Sequence, residues 1–185
     1  MTVFVRYGYR LTGMERVGQE AGVSRQAVYH HFASKEVLFR AVISMLHEGA
    51  HEAAAEAGRA AEATGAPLAK VLSAQLMARW RFYADHLENS PHAEELMAEH
   101  HRQTQDMKLA YTQRQQKMLE DTIGRDIDKG TRLRDDVTAE DLARLVVLAE
   151  LGAKNDPRGA AGLSDLETVV DLIIRGATAA PCPTT

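Results

Sequence analysis

The chain lacks most of what marks an exported, membrane-bound or disulfide-built protein. Its 185 residues hold one cysteine, Cys182. No internal disulfide can form, and that fits a reducing compartment. No apolar run approaches the roughly 18 residues of a membrane span, and no signal peptide opens the chain. A cytoplasmic protein without membrane contact is expected. Strand signals are nearly absent as well. Apolar residues recur at spacings of three and four, which predicts an all-helical fold. Apolar residues make up 45% of the chain, enough for a real core, and the length suits one compact unit or two small ones.

Against that background one stretch carries unusual chemistry. Ser24 to Phe32 reads SRQAVYHHF. Ser24 is placed to cap a short helix. At about 100° per residue, Arg25, Gln26, Tyr29 and His30 share one arc, and Ala27, Val28, His31 and Phe32 fall on the rest. One face can pack; the other suits the major groove. Arginine pairs with guanine O6 and N7, glutamine with adenine N6 and N7, and tyrosine reaches phosphate. An ordinary solvated helix face is the competing reading, and the flanks decide between them. Upstream, Thr12-Gly-Met-Glu15 has the pattern of a capping box opening a helix from Gly13 to Ala21. Gly22-Val23 then breaks the chain. Two short helices joined by a glycine-containing turn make a helix-turn-helix. Downstream, Ser34 caps a longer helix with Lys35 in its first turn. A cation there opposes the macrodipole, whereas a phosphate bound at that helix N-terminus would explain it.

The run from Tyr9 through Val42 resembles the N-terminal DNA-binding domain of the tetracycline-repressor (TetR) family. The matching pieces are Gly8-Tyr9, Thr12, Ala21-Gly22-Val23-Ser24, Tyr29-His30-His31-Phe32 and Ser34-Lys35-Glu36. The resemblance covers about the first quarter of the chain. It implies Arg25, Gln26, Tyr29 and His30 at bases or nearby phosphates, and Thr12, Ser24 and Lys35 at the DNA backbone. In one respect the chain departs from the family. There a full first helix precedes the Gly-Tyr pair; here Met1 to Tyr7 read as its last turns, with Val3, Phe4 and Tyr7 left to cover the helix-turn-helix. This is expected to affect DNA affinity more than fold.

Charge divides the chain in the same place. In residues 1–46, Arg6, Arg10, Arg16, Arg25, Lys35 and Arg40 outnumber Glu15, Glu20 and Glu36 by three; the total is −4, so the remainder carries −7. A basic module on an acidic body fits a nucleic-acid footprint confined to one end.

The helix from Ser34 is expected to run to about Ala61. It contains His47-Glu-Gly-Ala-His51, an HExxH pattern with two histidines at i and i+4 able to share a zinc ion and Glu48 as base. No third-ligand motif follows, so a metal-dependent hydrolase is only the alternative function. No metal or cofactor is expected at all, with His47 and His51 the residues to watch.

The rest reads as further helices. Pro67 starts one that ends near Glu88, and Asn89-Ser-Pro91 breaks it, with Pro91 in the next first turn. His92 to Lys129 is expected to bend near Arg102, and Gly130 closes it. Trp80, Tyr83, Met97, Met107, Tyr111 and Met118 are candidates to line an effector pocket; simple core packing is the competing reading for each. Thr138 to Asp141 opens a helix, an Asn155-Asp-Pro-Arg-Gly loop follows, and Ser164 caps the last helix. These two helices are apolar on more than one stripe, which calls for burial on both sides. TetR-like regulators pair such helices across a dimer. Leu142, Leu145, Val146, Ala149, Val169, Val170, Ile173 and Ile174 are the interface candidates.

The expected organisation is a DNA-binding domain at 1–46, a helical effector-binding and dimerisation domain at 47–178, and a disordered tail at 179–185. The expected function is a sequence-specific transcriptional regulator and not an enzyme: a dimeric, ligand-responsive repressor that binds a palindromic operator. A third possibility is a TetR-like protein with impaired DNA binding, owing to its short first helix.

Overall fold

In the computed structural model, residues 1–87, 90–156 and 160–178 are described. Among them are nine helices: α1 (Thr2–Leu11), α2 (Met14–Ala21), α3 (Arg25–His31), α4 (Lys35–Ala63), α5 (Leu68–Leu87), α6 (Ala93–Gln103), α7 (Gln105–Asp128), α8 (Ala139–Lys154) and α9 (Ala160–Ala177). The only β pairing among the described residues is an isolated bridge between Leu133 and Thr178. The tail with Cys182, Asn89 of the expected break, and Pro157 to Gly159 of the expected loop lie outside the described residues.

Packing divides the chain into two compact units that do not follow a linear boundary. Met1–His51 and Trp80–Leu109 form the first; Glu52–Arg79 and Ala110–Thr185 form the second. The divide falls inside α4, α5 and α7.

The first unit is built around Phe4, Tyr9, Met14, Val28, Leu38, Phe39, Ile43 and Leu96. Phe4 stacks on Tyr9 with ring centroids 6.0 Å apart and meets Phe39 edge-on at 5.0 Å. Gly8 interrupts α1 with φ +74° and ψ 168°, outside helical geometry. A positive φ of this kind is open to glycine at little cost. The kink has a consequence for Thr12. Its backbone N–H turns to Tyr9 O, and its hydroxyl donates to Gly8 O at 2.6 Å. The expected capping box is therefore absent: Gly13 is the N-cap of α2 and makes no side-chain cap bond. Thr12 is 1% exposed, which also takes its side chain away from any DNA backbone.

The second unit packs Leu68, Leu72, Leu76, Leu119, Ile123, Leu142, Val146, Leu166, Val170 and Ile174 into one core. A buried polar cluster sits in the same unit. Arg79 pairs with Glu150 at 3.2 Å, and Gln115 bridges both side chains. Glu150 is deeply buried, and a carboxylate so placed needs both the cation and the amide to offset lost hydration. α8 opens at Thr138 to Asp141 as expected, and the two residues form a capping box, each bonding the other's backbone N–H. Two boundaries differ from the sequence reading. Pro91 and His92 form a turn before α6 instead of its first turn, and α9 starts at Ala160, so Ser164 lies inside it.

The interface candidates separate by helix phase. Leu142, Val146, Val170 and Ile174 are buried in the chain's own core and unavailable to a partner. Ala149 and Ile173 are partly buried against that core. Leu145 and Val169 face outward, joined by Leu148, Leu151 and Leu172, apolar residues of the same helices outside the set of interface candidates. A helix of 3.6 residues per turn sends 142 and 146 to one side and 145 and 148 to another, and both stripes are apolar.

Candidate nucleic-acid interface

The recognition helix is fixed from three sides. Glycine at 22 adopts φ +68°, and the N–H groups of Gly22 and Val23 bond Gln19 O and Gly18 O, closing α2 in a Schellman motif. Ser24 Oγ then accepts from Ala27 N at 3.1 Å and starts α3. Val28, 5% exposed, anchors α3 in the core. Gly18 is the residue the sequence reading passed over. A Cβ there would lie 2.7 Å from Val23 O and 3.2 Å from Arg25 N. The close approach of α2 to the turn requires its absence.

Arg25, Gln26, Tyr29 and His30 are all exposed, whereas Val28 between them in sequence is buried. The Arg25 guanidinium lies over the Tyr29 ring, 5.5 Å from its centroid. His31 was placed on the packing arc but is exposed, with its ring edge-on to His30 at 5.4 Å. The helix ends there, so its last turn outruns the core that Val28 enters.

The short N-terminal segment holds to α2. Arg6 pairs with Glu20 at 3.1 Å, the Tyr7 hydroxyl donates to the same carboxylate at 3.3 Å, and Arg16 stacks over the Tyr7 ring. Lys35 answers the puzzle of a cation at a helix N-terminus differently from the expected phosphate contact. Its Nζ donates to Tyr9 O at 3.0 Å and Arg10 O at 3.5 Å, and lies 4.3 Å from the Tyr9 ring centroid. It serves the C-terminal carbonyls of α1, where a cation is favourable. Tyr9 donates to Glu36 at 3.1 Å. Backbone and Ser34 hydrogen bonds, then this one, hold the Glu36 carboxyl below its ordinary value.

Helix α6 and the residues flanking it brace this module by contacts that no sequence signal announces. Ser90 Oγ donates to Val5 O at 2.6 Å, and Glu95 accepts from the backbone N–H of Arg10 at 2.7 Å. The Gly8 kink withholds that amide's usual helical acceptor. Arg40 donates to Asp106 through both terminal nitrogens, at 2.9 and 2.7 Å, and also to Gln103 O.

In the HExxH segment the first histidine meets side chains of two other helices. His47 Nδ1 meets the Tyr83 hydroxyl at 2.8 Å, and its Nε2 faces Nε2 of His100 at 3.2 Å. One ring partner of His47 is thus on α6. Among the described residues no group of three or more His, Cys, Asp or Glu side chains is placed to hold a metal ion. The six pocket candidates do not share one unit: Trp80, Tyr83, Met97 and Met107 belong to the first, Tyr111 and Met118 to the second. Met97 is exposed, and Met118 packs on the second core.

Residues 1–42 match the model of the bacterial regulatory proteins of the tetR family. That match is confined to the N-terminal module and covers less than a quarter of the chain. An uncharacterized HTH-type transcriptional regulator of Bacillus subtilis, YfiR, is 49% identical over 49 residues, 26% of this chain and 24% of its own. The HTH-type transcriptional activator FasR of Mycolicibacterium smegmatis is 46% identical over 41 residues, 22% and 19% of the two chains. The matched stretches thus span a quarter or less of those relatives. The tetR-type fold continues beyond them. SmeT, a Stenotrophomonas maltophilia repressor solved with triclosan, aligns over 99% of this chain and 94% of its own, with a TM-score of 0.62 and 19% identity. Among the described residues no helix is long and apolar enough to cross a membrane.

Proposed function

We propose that this chain is a cytoplasmic, sequence-specific DNA-binding regulator that acts as a homodimeric, ligand-responsive repressor on a palindromic operator. One observation carries the reading: Arg25, Gln26, Tyr29 and His30 share an exposed face on a helix locked by buried Val28. Those four side chains enter the major groove. Arg25 and Gln26 read base edges, and Tyr29, His30 and Ser24 reach bases or phosphates. Thr12 and Lys35 are left out of the contact set, because their polar atoms are committed inside the module.

A second chain pairs through the outer stripe of α8 and α9, where Leu145, Leu148, Leu151, Val169 and Leu172 stand exposed. Two recognition helices then sit in successive major grooves, about 34–36 Å apart. A small-molecule effector that prefers another spacing weakens operator binding, and the operator weakens effector binding by the same factor.

Selection of binding sites from random duplex DNA at one fixed salt concentration tests the reading. Enrichment of a palindrome with half-sites one helical turn or a multiple apart is expected. Enrichment of no sequence by a folded, dimeric protein would overturn it.

A further inference from the structure

We propose that His47 and His100 form a binding site for a divalent transition-metal ion of the zinc type. The site goes beyond DNA binding and differs from the HExxH arrangement in both its partners and its geometry. His47 lies on α4, His100 on α6 and Tyr83 on α5, all in the first unit. The two Nε2 atoms face each other at 3.2 Å, and the Tyr83 hydroxyl holds His47 Nδ1 at 2.8 Å. Both imidazoles are half-buried, so solvent reaches the pair.

At 3.2 Å the two Nε2 atoms share one hydrogen; two would collide. In the neutral pair one N–H donates to the other ring's lone pair. A metal ion takes the place of that hydrogen bond: the shared proton moves to the other nitrogen of its own ring, and both Nε2 lone pairs bind the ion. Zinc–imidazole bonds of about 2.0–2.1 Å at a tetrahedral angle place the nitrogens about 3.3 Å apart. The rings are therefore already close to ligating separation before any ion arrives. Tyr83 supplies the outer support that metal-bound histidines characteristically have: a partner on the second ring nitrogen that fixes tautomer and ring orientation. In the loaded state His47 Nδ1–H donates to the Tyr83 oxygen. Water fills the remaining positions, which makes the site exchangeable rather than structural. Each ion bound joins α4 to α6 directly, with no net proton released from the neutral pair.

The test titrates zinc chloride into the full chain labelled with 15N at histidine. Of the eight histidines, two are expected to shift together at Nε2, saturating at one zinc per chain. His47→Gln and His100→Gln should each abolish the effect, and Tyr83→Phe should weaken binding about tenfold or more. His51→Gln and His101→Gln should bind as the parent does. No uptake, Nε2 shifts confined to other histidines, or undiminished binding in folded His100→Gln would each overturn the proposal. The wild-type spectra decide the matter even if a variant fails to fold.

Discussion

Lys35 separates two physical accounts of the same residue. As a phosphate contact it would add to the salt dependence of DNA binding and little to stability. As a clamp on α1 it should do the reverse. The structure gives it Tyr9 O at 3.0 Å, Arg10 O at 3.5 Å and the face of Tyr9. A hydrogen bond from a charged donor contributes about 1.5–3 kcal/mol, and a cation over an aromatic ring about 0.5–2 kcal/mol. Against this stands an unfavourable position in the first turn of α4, about 0.3–1 kcal/mol. Lys35→Met keeps the apolar stem and removes the charge. It should destabilise the protein by about 2–3 kcal/mol. Urea unfolding followed by circular dichroism reads that number. Operator affinity, measured by fluorescence anisotropy at several salt concentrations, reads the other account: its slope against salt should be unchanged. A loss of stability below about 0.5 kcal/mol, with a salt slope shallower by about 0.9 for each lysine, would refute the clamp and restore the phosphate contact.

Four further outcomes are expected. Arg25→Ala should cost about 1–3 kcal/mol of operator binding and relax base preference at one position of each half-site, read by repeating the site selection. Gly18→Ala should lower the melting temperature although alanine is the better helix former, because the new Cβ meets the backbone at Val23 O, 2.7 Å away; overpacking of this kind costs about 1–3 kcal/mol, and calorimetry measures it. Leu148→Glu with Leu172→Glu, at positions 52% and 63% exposed, should leave the fold intact and give a monomer by light scattering. Arg125, 2.8 Å from Glu62, holds that carboxyl below its ordinary value. Its folded pKa is thus below the unfolded one, so its stabilisation is present above about pH 4.3 and is lost as pH falls through the folded value. Glu62→Gln should therefore lose less stability than the parent between pH 6 and pH 3 in urea titrations.

The features legible in the sequence are those set by neighbours along the chain. Gly22 and Ser24 announce the turn of the helix-turn-helix, and Thr138 with Asp141 announces the start of α8; each needs only residues three or four positions away. The bend expected near Arg102 falls at Thr104, between α6 and α7. Thr12 and Glu15 carry an equally good local pattern, yet the kink at Gly8 sends the Thr12 hydroxyl backwards to a carbonyl that the kink had released. A local signal fails there because a second local signal, the glycine, overrides it. Other features are not local at all. His47 and His100 are 53 positions apart, and Arg10 and Glu95 are 85 apart; periodicity says nothing about such pairs. The α8 and α9 stripes were legible as doubly apolar, but not as to which stripe faces inward, because that choice is made by the helices packed against them.

These long-range pairs decide how the recognition helix is held. Helix α3 rests on the core that Phe4, Met14 and Phe39 build, and α1 contributes Phe4 to it from a segment too short to be a stable helix alone. What keeps α1 in place is a set of polar contacts at both of its ends: Ser90 on Val5 O, Glu95 on the Arg10 amide and Lys35 on the Tyr9 and Arg10 carbonyls. Ser90 lies just before α6, and Glu95 lies on it. A displacement of α6 by an ångström or two would therefore break hydrogen bonds at α1 or carry α1 along. Carrying α1 along moves Phe4 within a core where three rings meet at 4.9–6.0 Å. Close-packed interiors transmit such movements rather than absorb them. The Arg40 fork to Asp106 ties α4 to the start of α7 in the same unit, so α4 cannot shift against α7 without losing two charged hydrogen bonds. Within the first unit, the orientation of Arg25, Gln26, Tyr29 and His30 is thus set as much by residues 90–106 as by the helix-turn-helix itself.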